Sequence, residues 1–122
     1  PTIPLPIQTL SAKLWSDEKH VEESRKNYNS KFNYADKVLG PFNCYRRPEA
    51  GFYLWMNVGN GERFAKELYK NFSLKVMPGK YLSEGKKNNP GKAFVRVSLV
   101  HSNNKSKEAI NKIARQLKCS QK

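Results

Sequence analysis

The sequence is poor in cysteine, in acidic side chains and in long apolar runs, and each shortage removes a class of protein. Two cysteines, Cys44 and Cys119, are too few for a disulfide framework or a cysteine-built metal cluster. No apolar stretch approaches the roughly 20 residues that a membrane-crossing helix needs. Pro1 to Leu5 shows no basic region followed by an apolar segment, so no secretory signal is visible and a cytoplasmic location is expected. Disorder is excluded from the other side. Hydrophobic residues make up 38% of the 122, with six Phe, six Tyr and two Trp, enough for one domain with a modest core.

What is abundant is positive charge. Lys and Arg number 23 against 10 Asp and Glu, a net charge of +13. Residues 1–61 carry +2 of it and residues 62–122 carry +11. Such a basic half invites a nucleic-acid-binding reading, because neutralising phosphates needs cations on one face. Yet 17 of the cations are Lys, only 6 are Arg, and 12 residues are Asn. That is a solvated surface composition, whereas base readout and stacking usually call on Arg. No nucleic-acid motif accompanies the charge, so the basic module stands as the alternative reading only.

The periodicities predict helix, helix, strand, helix, strand, strand, helix. Pro1, Pro4 and Pro6 predict an extended start, and Gln8 to Trp15 a short helix. Ser16 is the expected N-cap of a longer helix to Leu39, with Val21, Tyr28, Phe32, Ala35 and Leu39 inward and Glu22, Lys26 and Lys31 outward. Gly40-Pro41 ends it. Phe52 to Val58 predicts a strand, and Glu62 to Phe72 a helix through Phe64, Leu68 and Phe72. A short strand is expected over Leu74 to Met77, stopped by Pro78-Gly79. Tyr81 to Lys92 reads as loop, Ala93 to Leu99 as a strand, and Lys105 to Leu117 as a closing helix. The expected class is α+β: a small, largely antiparallel sheet with helices packed on it, in one domain.

Most chemical motifs dissolve on inspection. Gly79 and Gly85-Lys86 are spaced by five residues where a phosphate-binding loop has four, and Lys87 replaces the Ser or Thr that would hold magnesium. His20 has no ligand at metal-site spacing, His101 reads as a surface side chain, and Cys44 reads as a structural thiol. Glu22 and Glu23 are a solvated helix face. Arg96 resists such a reading. In Ala93-Phe94-Val95-Arg96-Val97-Ser98-Leu99 the alternation sets Phe94, Arg96 and Ser98 on one face and the valines on the other. A mid-strand arginine either snorkels on an exposed sheet or offers a bidentate fork to a carboxylate or phosphate.

The runs SDEKHVEESRKNY, EAGFYLWMNV, VMPGKYLSEG and NNPGKAFVRVSLV, in that order after Leu5-Pro6-Ile7-Gln8, resemble the C-terminal part of class I, fold type I aminotransferases that use pyridoxal phosphate. Within them the pattern resembles the succinyldiaminopimelate aminotransferase branch of lysine and diaminopimelate biosynthesis. The resemblance implies that Arg96 grips the α-carboxylate of an amino-acid substrate and that Tyr53 packs beside it. It implies that Pro78 and Gly79 form the turn into a loop closing over substrate; Tyr81 and Asn89 belong to that loop by position alone.

The resemblance also implies what this sequence does not carry. Relatives hold pyridoxal phosphate through a Schiff-base lysine in a Ser-rich motif on a large domain, with an Asp, Tyr, Asn and a phosphate cup. No such motif precedes any lysine here. The chain then reads as a small domain, residues 40–122, with a helical connection, 1–39, including a long interdomain helix, to a large domain. Alone it is expected to be inactive, to bind no cofactor and to hold no catalytic residue or metal. The full-length enzyme would be a homodimer acting on amino acids and 2-oxo acids, with glutamate as donor.

Overall fold

A computed structural model describes residues 2–85 and 88–120. Lys86 and Lys87, the tail of the rejected phosphate-loop match, lie outside the described residues. The elements are α1 (Leu5–Trp15), α2 (Lys19–Leu39), β1 (Tyr53–Asn57), α3 (Gly61–Phe72), β2 (Met77–Pro78), a 3-10 turn (Gly79–Leu82), β3 (Phe94–Ser98) and α4 (Asn103–Ser120). The three strands form an antiparallel sheet in the order β1-β3-β2. The class is α+β, as the sequence indicates.

Helix α2 is amphipathic in its C-terminal half. Phe32, Ala35 and Leu39 face a core that also takes Leu54 and Met56 from β1 and Val95 and Val97 from β3. Phe64 and Leu68 of α3 and Ile110, Ile113 and Leu117 of α4 complete it. All three helices thus lie on one face of the sheet, and the opposite face is left open. Helix α1 buries no residue. No helix among the described residues is long and apolar enough to cross a membrane.

Four local expectations are corrected. Helix α1 starts at Leu5, not Gln8, because Pro6 sits in the first turn, where a missing N–H costs nothing. Ser16 closes α1 instead of capping α2: its N–H bonds back to Ala12 and Lys13, and Asp17 Oδ1 accepts the Lys19 N–H at 3.0 Å. The strand expected over Leu74 to Met77 is Met77–Pro78, because Ser73 is left-handed (φ 51°) and the Leu74 N–H still bonds to Leu68. Proline is tolerated there because β2 is an edge strand. Lys31, expected outward, is buried at 2% exposure.

Candidate functional site

Strand β3 delivers Arg96 to the open face. Val95 and Val97 are buried beneath it, and the antiparallel register sets Arg96 between Trp55 of β1 and Met77 of β2. Ladder pairing on both sides fixes the backbone from which the side chain rises. Its guanidinium carbon lies 5.9 Å from the centre of the Tyr53 ring. Among the described residues the guanidinium has no ion pair or hydrogen bond, so its donors remain available to a ligand.

Around it runs an aromatic row. Trp55 and Phe94 stack at 5.4 Å with planes 11° apart, and Phe52 meets Tyr53 edge-on at 5.7 Å. A groove of about 520 Å³ borders the row, lined by Cys44, Arg46, Arg47, Tyr53, Trp55 and Phe94 among others. Arg47 is engaged elsewhere, in an ion pair with Asp36 and a 3.0 Å bond to Asn33 Oδ1. Tyr45 donates to Asp36 Oδ1 at 2.6 Å; burial, and then the neighbouring carboxylate, push its phenol well above the ordinary value. Burial likewise pushes the Cys44 thiol up, away from the reactive thiolate. A second groove, about 550 Å³, lies between α2 and residues 49–52 and is lined by Tyr28, Phe32 and Phe52 among others; Arg96 lines neither of these two grooves.

The two Pro-Gly motifs meet at the rim. Gly79 and Gly91 pack backbone to backbone, and a Cβ on Gly79 would stand 2.6 Å from the Gly91 carbonyl oxygen. Asn89 locks the loop between them: its amide donates to the carbonyls of Lys80 (2.9 Å) and Ser83 (3.2 Å), and its Oδ1 accepts the Gly91 N–H (2.9 Å). Sequence position alone assigns Asn89 no such role; the Asn-Pro-Gly string is the signal that could have found it. Lys80 anchors the same loop to Glu62 at the start of α3.

These residues do not make a pyridoxal-phosphate site. Lys31 is the one buried lysine among the described residues, and its amine is committed to two backbone carbonyls. The other described lysines are half-buried or exposed, so none of the described lysines offers a free, desolvated amine for a Schiff base. Nor do three His, Cys, Asp or Glu side chains cluster among the described residues as a metal would require.

Comparison with known proteins agrees with the geometry at the level of class: the chain is similar to class I, pyridoxal-phosphate-dependent aminotransferases. It is 31% identical over 105 residues to the aspartate aminotransferase of Pyrococcus horikoshii, covering 81% of this chain and 26% of that protein. An aminotransferase structure from Neisseria meningitidis Z2491 superposes with a TM-score of 0.85 at 31% identity, covering 93% of this chain and 30% of the other. The aromatic aminotransferase of Pyrococcus horikoshii OT3 follows at 0.77 and 27%, covering 94% and 32%. The chain thus spans about a quarter to a third of the length of the proteins it matches. No family model matches it.

Proposed function

We propose that this chain is the small, C-terminal domain of an aminotransferase and supplies the clamp for the substrate α-carboxylate. The observation that carries the proposal is Arg96: a guanidinium with no ion pair or hydrogen bond among the described residues, fixed on a paired strand beside the Tyr53 ring. Arg96 donates two parallel hydrogen bonds to the carboxylate oxygens, and this fixes which substituents of Cα point toward the rest of the enzyme. Tyr53 supports the guanidinium by ring contact and limits its sideways travel. The amino-transfer chemistry itself belongs to pyridoxal phosphate, held in this proposal by the remainder of a longer polypeptide.

At the finer level the proposed reaction is that of an N-succinyl-LL-2,6-diaminopimelate:2-oxoglutarate aminotransferase in lysine biosynthesis, in a cytoplasmic homodimer. The VMPGKYLSEG and NNPGKAFVRVSLV runs support it. The carboxylate role is tested in the intact polypeptide by comparing kcat/KM for glutamate with that for its decarboxylated amine, 4-aminobutyrate. Replacing Arg96 with Gln should collapse the preference for the amino acid; an unchanged preference removes Arg96 from the site. Assay with N-succinyl-LL-2,6-diaminopimelate against aspartate and phenylalanine then tests the branch.

A further inference from the structure

Helix α2 carries a lysine where a solvent-facing side chain is expected, and the fold has turned it inward. Lys31 Nζ donates to the carbonyl oxygens of Leu99 and His101, each at 2.7 Å. These partners lie 68 and 70 residues away in sequence, at the point where the chain leaves β3. The Ser106 hydroxyl donates to the same His101 carbonyl at 3.2 Å, and the Leu99 N–H donates to the Phe52 carbonyl at 2.8 Å. The exit of β3 is therefore tied to α2, to α4 and to the entry of β1. Leu99 is three residues beyond Arg96, about 10 Å along an extended strand.

A second line of contact leads to the same place. Lys31 Nζ sits 4.8 Å from the centre of the Tyr28 ring, and Tyr28 packs at 6.4 Å on Phe52. Phe52 meets Tyr53 edge-on, and the Tyr53 ring flanks the Arg96 guanidinium. One buried ammonium thus braces both the strand that carries Arg96 and the aromatic row beside which the guanidinium stands. Burying a lysine is unfavourable unless its donors are satisfied, and burial holds its ammonium below the ordinary pKa. A methionine of similar length would fill the same space but would withdraw the ammonium donor from the Leu99 and His101 carbonyls.

We infer that Lys31 is a positioning residue for Arg96: it fixes the strand end and the aromatic row, and through them the sharpness with which amino acids are told from amines. This rests on the carboxylate reading of Arg96. Contiguity alone does not establish coupling, so the test measures it directly.

The readout is the ratio of kcat/KM for glutamate to that for 4-aminobutyrate, taken on one sample of the intact polypeptide. The fraction of folded enzyme cancels in such a ratio, so lost stability alone leaves it unchanged. In Lys31→Met the ratio should fall about tenfold, the scale of effect expected when a reacting group is displaced by a fraction of an ångström. The Lys31→Met, Arg96→Gln double variant should be no worse than Arg96→Gln alone. Lys31→Arg, which keeps donors and charge, should recover part of the loss. A wild-type ratio in Lys31→Met, or effects that simply multiply in the double variant, would overturn the inference. If Lys31→Met yields no folded enzyme, Lys31→Gln is read instead, because its shorter arm reaches at most one carbonyl. There too a wild-type ratio overturns the idea. Should Arg96→Gln itself leave the ratio unchanged, the clamp fails and the inference with it. A lowered ratio in Arg96→Gln beside a normal one in Lys31→Met rejects the inference alone.

Discussion

Gly79 and Gly91 touch through their backbones: each occupies the space into which the other's Cβ would project. That contact joins the two Pro-Gly turns at the rim of the Arg96 face and leaves no room for a side chain at either glycine. Alanine at either position must push back a carbonyl that belongs to a paired or hydrogen-bonded segment. Gly79→Ala and Gly91→Ala should each destabilise the domain by about 1–3 kcal/mol, the usual cost of overpacking. Thermal melts of the two variants check this; wild-type melting temperatures would show that the loop yields freely.

Glu62 gives an acid-side signature. Contacts with Lys80 and Lys66 hold its carboxyl below the ordinary value of 4.5. Such a group binds fewer protons folded than unfolded, so its contribution is complete above 4.5 and is lost as pH falls through the lowered value. Melting temperature should therefore fall less steeply between about pH 5 and pH 3 in Glu62→Gln than in the wild type. Parallel curves would show that the pair is screened into insignificance.

The 122-residue chain on its own should form no internal aldimine with pyridoxal phosphate. Its one described buried lysine is bonded to backbone, and the other described lysines are half-buried or exposed. Borohydride reduction followed by peptide mapping should give partial labelling scattered over exposed lysines. One stoichiometric adduct accompanied by transamination would contradict the assignment of the cofactor to another part of the enzyme.

Helix α1 presents Leu10, Leu14 and Trp15 to solvent, the last at 84% exposure, and buries nothing. Apolar surface of that extent on an isolated chain favours association. Light scattering should show mass rising with concentration, and Leu10→Glu with Leu14→Glu should suppress the rise. A monomer at all concentrations in both forms would refute this.

The strand bearing Arg96 was legible because alternation of Val95 and Val97 with Arg96 is a local signal, and its burial pattern follows from the same two-residue period. The Phe64 and Leu68 spacing made α3 legible for a similar reason. Lys31 was not legible. Three of its four helical neighbours, Tyr28, Tyr34 and Ala35, flank the apolar face, but its charge argues for solvent, and the carbonyls of Leu99 and His101 that satisfy its ammonium are brought near only by the folded chain. Ser16 reads locally as the cap of α2, but α1 runs on to Trp15 and takes the Ser16 N–H for its own last turn. Pro78 misleads in isolation because its strand position depends on lying at a sheet edge.

The central claim, that Arg96 grips a substrate carboxylate, is tested most directly by kcat/KM of Arg96→Lys in the intact polypeptide, beside its melting curve. Lysine keeps the charge and loses the planar fork, so one charge-assisted hydrogen bond of about 1.5–3 kcal/mol is lost. The account predicts a fall of about 10- to 150-fold in kcat/KM with the melting temperature nearly unchanged. Val97→Asp, one residue along and facing the core, should instead unfold the domain by burying an unpaired carboxylate. Unchanged kcat/KM in Arg96→Lys would contradict the account and leave Arg96 a surface side chain.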